Sequence, residues 1–447
     1  MSFDNISSLS QRQLVSFGIS ALSKYWPNDS ESVANLVIKN TIPSEIIIPV
    51  KLEPIALPQW AQCFGIEGCI LVPAEVAVTS KDWKEINWWY VVYWYLNCLA
   101  ERKHEQEHGP IHSFSFKLKG WDSRMWGHAW VNRIAMFLKC WLERENKNIK
   151  CHALVENLPT EIYLTHDLDA IKKTFAIRFK QTIFHGFNAV REILKGNVKA
   201  SIVKLATAIL FFFRREDYQN FDKLKINKKN SLITKQIVNV YAGKTGWKRT
   251  FKQMLFDPAY DISAGDTVDE LRNLIKHDIE IGLHQSFDAW HEGDLLSSES
   301  EVVRKSLNQS ITTCRQHWLR FSFDKTWQAQ SVNGFLEDTT LGFNDRPGFR
   351  NGAAIGFNPI QNGDFNRLLP IESIPMVLMD SHLYDYQVLD DDGREKELSK
   401  WIDELEFVGG KASIIWHPHT LGRDYGWGSG FDALIKRLCR PLNKGGV

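Results

Sequence analysis

The chain has 447 residues, 44% of them hydrophobic and 24% charged, with a formal net charge of +1. These are the fractions of an ordinary soluble globular protein rather than a disordered chain, and the length leaves room for two domains. A near-zero net charge excludes a whole-molecule attraction to polyanions, so any electrostatic argument has to be local.

The N-terminus, MSFDNISSLSQRQ, carries neither a basic n-region nor an apolar h-region, so no signal peptide is expected. Seven cysteines, none in a CxxC spacing, argue for free thiols in a reducing compartment rather than a disulfide framework or zinc ribbon. Residues 1–155 read as a Trp-rich α/β accessory domain. Apolar runs at Ser44–Val50 and Cys69–Val72 predict strands, and helical patterns follow at Lys84–Arg102 and Met125–Glu145. In the second helix Trp130, Ile134, Phe137, Leu138 and Trp141 recur at steps of three and four, which marks one buried face. The charged run Glu143–Lys150 predicts a linker. Two stretches resemble membrane spans, Ile86–Ala100 and Ile202–Phe213. Asn87 and Asn97 interrupt the first and Lys204 the second, and both fall short of the roughly 18–20 apolar residues a span needs.

Residues 156–447 predict a parallel α/β barrel or sheet. Glu161–Asp169 reads EIYLTHDLD, an apolar run ending in acids and a histidine, as a buried strand does when its C-terminal end delivers reactive groups to a barrel rim. From 170 to 255 the composition shifts to 19 Lys/Arg against four Asp/Glu, much of it at helical spacing, as in Phe187, Val190, Ile193 and Leu194. Beyond Asp257 the spacing predicts a helix at Val268–His277, a strand at Ile279–His284, and a helix at Ser298–Gln316. Strands at Trp318–Phe323 and Ala412–His417 complete the pattern.

Three apolar runs end in groups suited to metal-assisted hydrolysis: Asp167 and Asp169, then His284, then His417. Carboxylates crowded at a strand end are costly to bury alone, and a divalent cation offsets that cost. A neutral imidazole at His284 could ligate a cation held by Asp169, with Asp288 or His291 able to add a ligand. Arg315, in CRQHWLRF, could hold a carboxylate ionised, and the glycine-flanked Arg350 has similar capacity. His417 could protonate a leaving group, and Trp416 could stack on a sugar or fill the core.

In this order, LTHDLDAI, EIGLHQSF, RQHWLRF, GFRNG and WH resemble the polysaccharide deacetylase superfamily, the NodB homology or carbohydrate esterase family 4 group. The likeness is to a divergent branch reading THDxD and EIGLH, and it covers roughly 160–425. It implies a distorted parallel (β/α) barrel, an Asp/His-bound divalent metal, most simply zinc, and removal of acetyl groups from a carbohydrate. The implied base is Asp167 and the implied metal ligands are Asp169 and His284. The third ligand is left among Asp288, His291 and His317, because Asp288 stands where the family has its second histidine. Arg315, or Arg350 in this branch, would orient the base, His417 would be the acid, and His166 and Trp416 would meet substrate. Two other classes are a catalytically inactive, glycan-binding barrel and a glycosidase with two carboxylates across the sugar.

The basic 170–255 segment reads as a helical insertion. It is either a solvated face or a surface for anionic membrane or lipid-linked glycan, with Phe211-Phe212-Phe213-Arg214-Arg215 suiting an interfacial helix. No recognition motif for nucleic acid accompanies it. The expected location is cytoplasmic, at the inner face of the membrane if that segment docks there.

Overall fold

The structure, a computed structural model, describes residues 9–145 other than 37 and 40, then 159–194, 196–214, 216, 218–361 and 364–440. The predicted linker lies largely outside these residues.

The N-terminal segment opens on α1 (Gln11–Ala21), which begins at a reciprocal cap between Ser10 and Gln13, and α2 (Ser30–Ala34). An antiparallel hairpin of β1 (Leu52–Ala56) and β2 (Cys69–Pro73) follows. The strand expected at Ser44–Val50 is a run of bends instead. Pro43 and Pro49 bracket it, and a prolyl nitrogen has no hydrogen to give to a ladder. Three helices complete the segment: α3 (Trp88–Leu96), α4 (Leu99–His108) and α5 (Trp130–Glu145). The single helix expected over Lys84–Arg102 is therefore two, broken where Cys98 adopts φ +50°. All nine residues of α3, WWYVVYWYL, are buried. Cys140 in α5 is disulfide-bonded, against the expectation of seven free thiols; Cys63, Cys69, Cys98, Cys314 and Cys439 are free, and Cys151 lies outside the described residues.

The rest of the chain is built on an eight-stranded sheet. In chain order its strands are β3 (Glu161–Leu168), β4 (Ile233–Val240), β5 (Glu280–Gln285), β6 (Thr313–Gln316) and β7 (Glu337–Asp338). After a small hairpin, β8 (Ile360–Gln361) with β9 (Asp364–Leu368), come β10 (Glu372–Ser373), β11 (Met376–Met379) and β12 (Lys411–Ile415). Every pairing in the eight-stranded sheet is parallel, in the order β10-β7-β6-β5-β4-β3-β12-β11. Its two edge strands are consecutive in the chain, joined only by Ile374-Pro375. Three steps from Ser373 to Met376 span about 11 Å at most, so the sheet curls until its edges nearly meet, the geometry of a distorted barrel.

Helices α6 (Phe175–Leu194) and α7 (Val198–Phe213) fill the β3–β4 crossover, with α8 (Phe251–Phe256) and α9 (Gly265–Lys276) following β4. Next are α10 (Gly293–Leu307), α11 (Thr326–Val332), α12 (Asp380–Tyr384), α13 (Asp391–Val408) and α14 (Gly428–Leu438). Helix α10 stops at Leu307, capped by Asn308 in the left-handed region (φ +56°). Thr313–Gln316, expected to be the end of that helix, is a strand between β5 and β7. The strand expected at Trp318–Phe323 is absent, because Trp318 and Leu319 both turn through positive φ. Among the described residues no helix is long and apolar enough to cross a membrane.

Residues alternate across each strand. Outward residues such as Leu164, Leu168, Val238, Leu283 and Ile414 pack under the helices in one apolar cluster, which runs on without a break into α1, α3 and α5. Inward residues at the N-terminal end form an ionic layer. Lys235 pairs with Glu280 at 2.8 Å and with Glu337 at 2.5 Å, Lys411 pairs with Glu372 at 2.8 Å, and Tyr163 donates to Glu337 at 3.1 Å.

Candidate metal centre at the C-terminal ends of the strands

Period-two alternation places Thr165, Asp167 and Asp169 on one face of β3 and its extension, with Leu168 turned into the outer core. The leucine between the two acids therefore keeps them side by side. On β4 the inward residue level with Asp167 is Asn239, and next to it on β5 is Gly282. Asn239 Nδ2 donates to Asp167 Oδ1 at 2.8 Å. A Cβ on Gly282 would overlap Asn239 Oδ1, so glycine is what leaves Asn239 its place. Arg315, fully buried on β6, approaches Asp167 Oδ2 at 3.8 Å and is steadied by Thr339 at 3.1 Å and Ser413 at 3.4 Å.

Three imidazoles converge on Asp169. His284 Nε2 lies 3.2 Å and His317 Nε2 3.5 Å from Asp169 Oδ1, and His417 Nε2 lies 3.6 Å from Oδ2. Each ring's far nitrogen meets a group that only accepts. His284 Nδ1 faces the Arg315 carbonyl at 3.2 Å, His317 Nδ1 faces Asp257 Oδ1 at 3.4 Å, and His417 Nδ1 faces Asp380 Oδ1 at 2.8 Å. For His284 and His317 a proton on Nδ1 leaves the Nε2 lone pair aimed at a carboxylate oxygen, the tautomer a metal ligand requires. Asp169 Oδ1 is a buried oxygen with no donor in hydrogen-bond geometry. Ligand atoms of Asp169, His284 and His317 lie within 4.8 Å of one another, and two nitrogens with one oxygen suit a divalent cation. The residues fit the group that the site implies.

The electrostatics agree. Burial alone would raise Asp169, yet His284, His317 and His417 hold it well below the usual carboxylate range. Asp167, also opposed by burial, is lowered by Arg315, then His284 and His417. Burial depresses His317. His284 is raised despite burial, chiefly by Asp167 and Asp169. Against the same burial penalty, Asp380 and then Asp169 push His417 up to about 10. Asp380 also accepts from the His417 amide at 2.9 Å and from Thr420 at 3.1 Å, which fixes the ring.

Asp167, Asp169, His284, His317, Arg315 and His417 are thus brought together, and five other expected site residues are not. Asp288 pairs with Lys252 at 2.7 Å and Arg320 at 2.9 Å, and His317 stands in the cluster in its stead. His291 pairs with Glu292 at 3.7 Å. Arg350 is buried in a fork on Glu101 (2.8 Å), with Ser113 (2.6 Å) and the Gly342 carbonyl (2.9 Å) taking its other donors. His166 and Trp416 fall on the outward faces of β3 and β12. His166 is bonded to the Trp416 carbonyl at 2.9 Å and to Gln236 at 3.0 Å, and Trp416 is 1% exposed against Phe431. Neither can meet a substrate there.

Sequence reasoning missed Asp257, Asn239, Gly282 and Asp380. Asp380 had a signal: Met376-Val377-Leu378-Met379-Asp380 is another apolar run ending in an acid. Asn239 and Asp257 carried none, since a polar residue inside a strand or after a short helix has many uses.

No family model matches the chain, and no curated protein does. Among solved structures, it is similar to one from Mycobacterium smegmatis named a candidate polysaccharide deacetylase, at 15% identity and a TM-score of 0.36, covering 64% of this chain and 86% of that one.

Proposed function

We propose that the chain is a metal-dependent hydrolase that removes acetyl groups from a carbohydrate. The observation that carries the reading is the convergence of His284 Nε2 and His317 Nε2 on the buried Asp169 Oδ1, with both rings held from behind by acceptors. Three protein ligands with N and O donors suit zinc with an open position. A cation bound there would polarise an acyl carbonyl and acidify a water. Asp167, kept ionised by Arg315 and oriented by Asn239, takes that water's proton at its carboxylate. His417, held protonated against Asp380, gives a proton to the departing amine or alkoxide. The alternative of an inactive, glycan-binding barrel has its best support in the missing second histidine, whose place we assign to His317.

The test is elemental analysis of the purified protein, followed by acetate release from N- and O-acetylated oligosaccharides with and without chelator. Stoichiometric zinc with chelator-sensitive release is expected. Absence of any bound or bindable divalent metal, or release indifferent to chelation, overturns the reading.

A further inference from the structure

The α6–α7 hairpin is amphipathic in the wrong sense for a helix pair facing water. Along α6, Phe175, Phe179, Ile183, Phe187 and Val190 recur at steps of four and three, and each is more than half exposed. Along α7, Val198, Ile202, Ile209 and Phe213, at steps of four, seven and four, are likewise more than half exposed. The residues the hairpin buries include Asn188, Glu192, Ser201 and Ala208. A helix pair that meets only water hides its phenylalanines and shows its asparagines and glutamates. Helix α8, packed against α6, adds exposed Phe251 and Met254.

From these faces we infer that the hairpin is a membrane-docking element that seats in one leaflet of an anionic bilayer. Helix α7 has 16 residues, a rise of about 24 Å, short of the roughly 30 Å hydrocarbon core. It therefore lies in the interface rather than spanning. Charge selects the occupant. Lys172 to Arg214 holds nine Lys or Arg against one acid, Glu192, and Lys172, Lys199 and Arg214 are exposed. Two such surfaces from two copies would repel each other, whereas an anionic headgroup layer beneath an apolar one meets both the charge and the stripe.

The hairpin also belongs to the reactive end of the barrel. Asp169 precedes α6 by six residues. Its base is riveted to the loop that follows His417. There Lys173 forms a buried 2.5 Å ion pair with Asp424, and Arg214 donates to the Arg423 carbonyl at 3.1 Å. Docking would hold the mouth of the site to the lipid surface. If the deacetylase reading is right, on which this corollary rests, the substrate is a glycan carried at that surface.

The experiment floats the full chain with vesicles of phosphatidylcholine alone or mixed with phosphatidylglycerol. Co-flotation with the mixed vesicles is expected, about tenfold or more weaker on phosphatidylcholine alone. The combined variant Phe179→Asp, Phe187→Asp and Ile209→Asp abolishes flotation while leaving bound metal and acetate release from a soluble acetylated oligosaccharide unchanged. Absence of flotation at low salt, or flotation equal in the variant, overturns the proposal. So does a concentration-dependent dimer, seen by sedimentation, that the variant loses without any vesicle binding. Flotation that the variant loses, in a protein that releases no acetate, upholds docking and sinks only the deacetylase reading.

Discussion

Asp167 and Asp169 share a strand face but sit in different company, and their variants should separate. Asp167→Asn keeps the Asn239 contact and leaves the imidazole cluster alone. It should lower kcat by a factor on the order of 10³ or more, with bound metal retained by elemental analysis. Loss of metal in parallel with activity would contradict the division of labour. His317→Ala removes a nitrogen from the cluster and should abolish stable metal binding, whereas Asp288→Ala, which breaks ion pairs to Lys252 and Arg320, should bind metal as the parent does. Titration of the two apo-proteins with zinc distinguishes them, and the reverse ranking would restore Asp288 as a ligand. Gly282→Ala drives a methyl into Asn239. It should cut kcat about tenfold or more through a misplaced base at nearly unchanged metal content. Which acids to examine was legible in THDLD; which of Asp288, His291 and His317 stands beside Asp169 was not. His317, just past the end of β6, continues the alternation of Thr313 and Arg315, and that alternation was hidden by reading the stretch as the end of a helix.

Between elements, the join of α13 to α5 rests on Glu404. Its carboxylate takes a two-pronged grip from Arg133 at 2.6 and 2.8 Å, the His128 ring at 3.1 Å, and the Ala129 amide at 3.0 Å. Burial by itself would raise this carboxyl, but Arg133 and His128 outweigh it and hold it at about 2, against an ordinary value of 4.5. A folded-state value below the unfolded one stabilises the fold above pH 4.5, and the contribution fades as pH drops from 4.5 towards 2. The shift corresponds to about 3 kcal/mol. Glu404→Gln should therefore lower the Tm at pH 7, and the gap to the parent should narrow through that acid window. A gap constant from pH 7 to pH 3 would show that packing, not charge, makes the join. Helix α13 was overlooked although Leu398, Trp401, Ile402, Leu405 and Val408 recur at helical spacing; the switch of α10 to β6 left no such sign, since a single left-handed Asn308, five residues before Thr313, decides that boundary.

At the scale of the molecule, Arg350 ties the N-terminal segment to the barrel through Glu101 on α4. Both side chains are buried, so removing one leaves an uncompensated charge. Arg350→Met should cost about 3–5 kcal/mol of unfolding free energy, read by urea denaturation, while kcat below the melting range stays near the parent's. A collapse of kcat in a variant still fully folded would instead return Arg350 to the reaction.

The chain's local pattern determined that apolar strands end in acids and imidazoles, in a fixed order, and that THDLD keeps two carboxylates on one face, because side-chain direction along a strand depends only on neighbours in sequence. The curl of the sheet decided the rest. Whether His317 or Asp288 reaches Asp169, whether Arg315 or Arg350 meets Asp167, and that His166 and Trp416 turn away follow from strand register and from which face of each strand closes inward. Those depend on pairings between residues tens to hundreds of positions apart, and no local spacing records them.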